Sequence, residues 1–174
     1  MRTLIFILAI AVSFLLVASC ENNKSIDNQP TLTGKLISNT TCKLLKSATN
    51  ADYFSDTLSC IEYAFDSKTS LLTIRHINAG FNCCPDSLFC DVSINNNTIV
   101  IQEFENKALC KCNCLYDLNI ELTGVEAKKY QVIFNEPYSG EGEKIIFEMD
   151  LTKNNTGTYC ATRKQYPWGI LNLD

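Results

Sequence analysis

Histidine is nearly missing from this chain: His76 is the only one among 174 residues. No HExxH metal motif is therefore present, and no Gly-x-Ser-x-Gly elbow, P-loop or dinucleotide fingerprint appears either. His76 stands in "LTIRHIN", alternating with Leu72 and Ile74, and a lone histidine in such a strand reads as a packed or edge residue rather than a catalytic base. A surplus of basic residues is also lacking. Lys and Arg number 15 against 19 Asp and Glu, for a net charge of −4. With no basic stripe to neutralise phosphates, the balance argues against nucleic acid as a partner. No CxxC pair occurs, which leaves a thioredoxin-type redox centre with little support. Finally, no apolar run reaches the roughly 20 residues that span a bilayer.

The longest apolar run, Leu4 to Val17, follows a single positive charge at Arg2 and ends in small residues. Its length of about 14 residues is that of a signal-peptide core. The closing residues Val17-Ala18-Ser19-Cys20 resemble the lipobox of bacterial lipoproteins. That resemblance implies cleavage before Cys20 and a lipid on its thiol, with the membrane as partner through that anchor. Several buried acyl chains at about 0.8 kcal/mol per methylene hold far more firmly than one myristoyl chain. The expected organisation is a leader at 1–19, a flexible polar tether at 20–30 ("ENNKSIDNQP" after Cys20), and a single domain at 31–174. About 155 residues remain after the leader, enough for one domain with a sizeable core.

The domain reads as all-β. Short runs rich in Ile, Val, Phe, Tyr and Thr alternate with Asn, Asp, Ser and Gly. Strands are expected at Leu32–Ile37, Leu58–Phe65, Ser70–Ile77, Leu88–Ile94, Thr98–Phe104, Cys110–Thr123, Lys129–Asn135, Lys144–Leu151 and Thr158–Arg163. Asn95-Asn96-Asn97 and Asp66–Ser70 supply hairpin turns. One helix is expected near Cys42–Tyr53, from Leu44, Leu45 and Ala48. "YDLNIELTGVEAKKYQVIF" resembles a strand pair of immunoglobulin-like or transthyretin-like sandwiches, with Tyr130 where those folds place a tyrosine that ties a loop to the core. The expected fold is an immunoglobulin-like antiparallel β-sandwich stapled by disulfides. "LTGKLIS" resembles the first strand of lipocalin-like barrels, with Leu36 in place of the family's tryptophan. That alternative implies a carrier of a small apolar ligand.

Ten cysteines are many for so short a chain, and in an exported protein they point to disulfides. In "ALCKCNCLYDLNIEL" the even positions are Cys110, Cys112, Cys114, Tyr116, Leu118, Ile120 and Leu122. Read with period 2, this is one strand whose cysteines face the core. Same-face neighbours lie about 6.6 Å apart, so Cys110 and Cys114 are about 13 Å apart. Neighbours on one strand then cannot bridge each other, nor can all three surround one ion without a bulge. The disulfide candidates are Cys83, Cys84 and Cys90 in "FNCCPDSLFC" against Cys110, Cys112 and Cys114. Connectivity is not readable from the sequence, and Cys42, Cys60 and Cys160 remain besides. With Cys20 lipidated, nine thiols are left, so at least one is free or pairs between molecules. The alternative is a soft-metal site for Cu(I) or Zn, built from Cys83, Cys84 and one or two of the CxCxC sulfurs.

The carboxylate pairs Glu103/Glu105 and Glu141/Glu143 read as solvated, and Trp168 as closing one end of the core, with an exposed aromatic platform for a sugar, formed with Tyr166, as the alternative. Taken together, lipobox, tether and CC…CxCxC domain resemble the small lipoproteins of Bacteroidota. The resemblance implies a lipid anchor in the bacterial cell envelope, at the outer membrane. The expected role is a non-enzymatic binding or accessory module for a protein or small-molecule partner, with no cofactor.

Overall fold

The computed structural model describes residues 32–43, 57–140 and 142–164. The expected leader, Cys20 and the tether lie outside the described residues, as do Leu44, Leu45 and Ala48 of the expected helix, Glu141, Tyr166 and Trp168.

Nine strands follow one another without a helix among the described residues. They are β1 (Thr33–Asn39), β2 (Leu58–Asp66), β3 (Leu71–Asn82), β4 (Pro85–Asn95), β5 (Thr98–Ala108), β6 (Asn113–Thr123), β7 (Lys129–Asn135), β8 (Ile146–Asp150) and β9 (Thr156–Thr162). One sheet has the order β1-β6-β3-β2-β9 and the other β4-β5-β7-β8. Alternation explains the packing. Ile61, Leu72, Ile74 and Ile120 of the larger sheet meet Ile99 and Val132 of the smaller one, all 2% exposed or less. Charged and polar residues at the intervening positions face water.

The fold is thus the expected disulfide-bonded β-sandwich, with one departure from expectation in the smaller sheet. The closed barrel that a lipocalin-like carrier needs is not formed. β1 and β4 meet at a corner, where Gly34 packs so closely on Val92 that a Cβ has no room, yet the two strands share no ladder. The smaller sheet is mixed rather than antiparallel, because β5 and β7 run parallel. A parallel return needs a crossover, and β6, which lies in the opposite sheet, supplies it.

Two turns behave as their residues require. Asn96 and Ser70 both take positive φ, at 55° and 54°, and Asp66 accepts from the Lys68 N–H and the Thr69 hydroxyl at 2.9 and 2.8 Å. Tyr130 is 2% exposed, and its hydroxyl accepts from the Glu126 N–H at 3.1 Å. It ties the β6–β7 loop to the core.

β3 runs past its expected end at Ile77. The register against β6 shifts between His76 and Ala79, with Asn78 at φ 62°. The bulge's polar groups are satisfied: the Asn78 N–H donates to Asp117 at 3.1 Å and its side-chain amide donates to the Leu58 carbonyl at 2.8 Å. Asp117 in turn holds Lys43 at 2.6 Å and Arg75 at 2.7 Å. Burial works against its charge, but hydrogen bonds from Lys43, the Asn78 N–H and Arg75 outweigh it and hold the carboxyl below the ordinary value. After the bulge, β3 twists on to Asn82 and delivers the first cysteine pair to one end of the sandwich.

Candidate functional site

The cysteines gather where the chain passes from one sheet to the other and back. Cys83 and Cys84 carry it from β3 to β4, and 109–112 carry it from β5 to β6. In the ladders Asn82 faces Asn113 and Pro85 faces Ala108. The two crossings therefore run side by side in opposite directions. Cys83 pairs with Cys112 and Cys84 with Cys110, both at a Cα separation of 5.5 Å, within the usual disulfide range.

One buried side chain organises this corner. Asn82 is 4% exposed. Its amide donates to the carbonyls of Cys110 and Cys112 at 2.6 and 2.9 Å, and its oxygen accepts from the N–H groups of Cys84 and Cys110 at 3.0 and 3.3 Å. Its own N–H donates to Glu105 at 2.7 Å, and its carbonyl accepts from the Tyr116 hydroxyl at 3.0 Å. All the hydrogen-bonding capacity of the asparagine side chain is used. Glu105 also accepts from the Tyr138 hydroxyl; burial and this carboxylate push the phenol up to about 12.

The corner corrects the reading of Cys110–Thr123 as one continuous strand. β6 begins at Asn113, so Cys110 and Cys112 lie before it, the former half-buried and the latter exposed. Cys114 alone is in the core, at 1% exposure. Off the extended strand, the sulfurs of Cys110 and Cys112 do not keep the spacing of same-face neighbours. They and the Cys83 sulfur lie within 4.8 Å of one another.

The other pairs differ from a simple three-against-three match. Cys114 bonds to Cys42, and Cys60 to Cys160 across the directly paired β2 and β9. Cys90, placed above among the disulfide candidates, is a free, buried thiol. It sits mid-strand in β4 with its sulfur in the main core, out of the corner. Burial, followed by the charges of Glu103 and Asp91, pushes it up to about 11.

A second cluster lies between the sheets. The His76 Nδ1 is 2.7 Å from Glu103 Oε1, and its Nε2 is 2.8 Å from the Ser59 hydroxyl. Glu136 Oε1 is 3.7 Å from that same Nε2. Arg163 donates to Glu136 at 2.5 Å and to the Glu143 carbonyl at 2.6 Å. Phe134 meets the imidazole edge-on. Ser59, His76 and Glu103 are 0%, 0% and 1% exposed. The expected solvation of Glu103 is therefore corrected: it stands on the inner face of β5, in step with Ile99 and Ile101. Glu143, by contrast, is exposed and accepts from the Thr162 N–H at 2.9 Å.

A hydroxyl, an imidazole and a carboxylate in this order have the geometry of an activated nucleophile, and all three are sealed from solvent. Burial disfavours the imidazolium. The charge of Glu103 and its hydrogen bond, with Glu136, outweigh it and raise His76 above its ordinary value. Burial likewise raises Glu103, against the pull of His76. The pair keeps its proton to higher pH than either group does in water. The cluster joins β2 and β3 to β5 and the strand ends at Glu136 and Arg163, with no face open to solvent.

Ser59, Asn82, Glu136 and Arg163 were not singled out from the sequence. Period-2 alternation with Ile99 and Ile101 is a signal that places Glu103 inward. Glu136 and Arg163 follow strand ends, where no periodicity acts. A concavity among the described residues is open and shallow, about 330 Å³, on the outer face of the larger sheet between Ile37, Glu62, Arg75, Asn119 and Glu121.

No protein-family model, no curated protein and no solved structure matches the chain.

Proposed function

We propose that this chain is a lipid-anchored lipoprotein of the bacterial cell envelope, acting as a non-enzymatic binding or accessory module. The observation that carries this reading is the pairing of eight of the nine described cysteines in four disulfides. Such a set persists in an oxidising compartment and not in the cytosol. Val17-Ala18-Ser19-Cys20 supplies the matching export and attachment signal, and the polar stretch to Pro30 supplies the tether. The sealed His76 cluster favours a structural role over catalysis, because no substrate reaches a group that is 0% exposed. The surface, not a cleft, then meets the partner.

The test is fractionation of cells producing the full chain, followed by mass analysis of the N-terminal peptide. The expected peptide begins at Cys20, carries acyl mass and comes from the membrane fraction. In the Cys20→Ala variant both the lipid and the membrane association are lost. A mature N-terminus elsewhere, or an unmodified Cys20, overturns the reading.

A further inference from the structure

We propose that the disulfide corner is a redox-gated zinc site: once Cys83–Cys112 and Cys84–Cys110 are reduced, the thiolates of Cys83, Cys84, Cys110 and Cys112 bind one zinc ion. This goes beyond the anchor reading and does not require it.

Three observations carry the proposal. The first is proximity. The sulfurs of Cys83, Cys110 and Cys112 are mutually within 4.8 Å, and the Cys84 sulfur is bonded to that of Cys110. A tetrahedral zinc with bonds of about 2.3 Å needs its sulfurs about 3.8 Å apart, so each bonded pair must part by roughly 1.8 Å once its S–S bond opens, and Cys84 follows from its place beside Cys110. The second is preorganisation independent of the sulfurs. Asn82 holds the backbone of Cys84, Cys110 and Cys112 by four hydrogen bonds, and the Cys83 N–H donates to the Cys112 carbonyl at 3.0 Å. Opening both S–S bonds leaves these contacts in place, and the two crossings stay side by side.

The third is access. Cys112 is exposed and its three neighbours are half-buried, whereas each remaining disulfide has a sealed member, Cys60 at 0% or Cys114 at 1%. A reductant thiolate therefore reaches the corner first. Four thiolates and no imidazole or carboxylate among them make a soft, tetrahedral donor set.

The chemistry balances with a dithiol as reductant. One thiolate of the dithiol attacks a corner sulfur, forming a mixed disulfide and releasing one cysteine thiolate. The second thiol of the dithiol displaces the other cysteine and closes the reductant's own disulfide. Each S–S bond thus takes two electrons and two protons. Zinc then forms four Zn–S bonds and displaces the four thiol protons, leaving a dianionic centre.

The test is stepwise reduction of the mature chain with a dithiol, with each disulfide followed by alkylation and mass analysis, then addition of zinc alone. The two corner disulfides are expected to open before Cys42–Cys114 and Cys60–Cys160. The partly reduced chain is expected to take one zinc per molecule, which shields those four thiols from alkylation. Cobalt(II) in place of zinc is expected to show the charge-transfer absorption of thiolate ligation. Cys112→Ser is expected to weaken zinc binding by about a hundredfold. Asn82→Ala, which removes a positioning residue only, is expected to weaken it by about tenfold, with the cobalt spectrum retained. Stepwise reduction needs no substitution, so it decides the matter even if a variant fails to fold. The proposal is overturned if Cys60–Cys160 opens before the corner, if the corner-reduced chain takes no zinc, or if Cys112→Ser binds it equally well.

Discussion

The corner around Asn82 and the cluster around His76 solve the same problem by opposite means. Each fastens one sheet of the sandwich to the other. The corner does so with two covalent bonds at the surface, backed by a neutral amide. The interior cluster does so with ionisable groups sealed from water. A covalent clasp tolerates solvent, but a reductant can open it. A buried ion network is closed to reagents, but its strength depends on every partner and on the proton count. Chemistry open to the surroundings therefore belongs to the corner, and resistance to separation of the sheets belongs to the cluster.

The largest effect should come from breaking the cluster on one side only. His76→Leu leaves Glu103 buried without its partner and is expected to cost about 3–5 kcal/mol, measured by urea unfolding. His76→Leu with Glu103→Leu should recover much of that loss, because no carboxylate is then stranded. A single variant as stable as the parent would show that the cluster does not clamp the sheets.

The corner should respond differently, because its disulfides are nested. Cys84–Cys110 closes nearly the same loop as Cys83–Cys112, whose sequence separation is 29. On loop-closure entropy that loop contributes about 3.6 kcal/mol, and either bond alone secures most of it. Replacing Cys83 and Cys112 by Ser should cost below about 1 kcal/mol, and replacing all four about 3.6 kcal/mol. Equal costs for the two disulfides, adding independently, would contradict the nesting.

Proton dependence sharpens the contrast further. His76 and Glu103 both have raised values in the folded chain. A group raised on folding stabilises below its unfolded value and loses that contribution as pH rises through the folded one. Stability should therefore fall as pH climbs above the ordinary carboxylate value of 4.5 for Glu103, and further above the ordinary imidazole value of 6.5 for His76. The slope should vanish in the double Leu variant and persist when the corner cysteines are replaced. Asp117, held low, acts with the opposite sign and loses its contribution as pH drops below 3.8. The smallest effect belongs to Cys90. Buried and pushed up to about 11, it should resist alkylation until the chain unfolds, and Cys90→Ala should cost about 1 kcal/mol. Rapid native labelling at Cys90 would contradict its burial.

Much of the architecture was legible from local pattern. Lys129–Asn135 forms a strand with the expected bounds, and Asn96 and Ser70 make the expected turns. What escaped was long-range. "HINAGFN" carries Asn and Gly that locally signal a turn, yet pairing with β6 and the Asp117 clamp extend β3 through it. Alternation in CxCxC suggested a strand, but a disulfide corner follows no period, so Cys110 and Cys112 left the pattern that Cys114 obeys. Cysteine connectivity depends on which crossings lie side by side, which no local stretch contains. Glu103 was legible by its step with Ile99 and Ile101 and was misread because carboxylates usually face water.

The central claim is a disulfide-fastened, lipid-anchored domain. Intact mass analysis of the protein from membranes, before and after complete reduction, tests it most directly. The account predicts a chain starting at Cys20 with acyl mass, which gains two hydrogens for each of four disulfides, with Cys90 open to alkylation only after unfolding. A chain that lacks the acyl mass, or gains hydrogens for fewer than two disulfides, would contradict it.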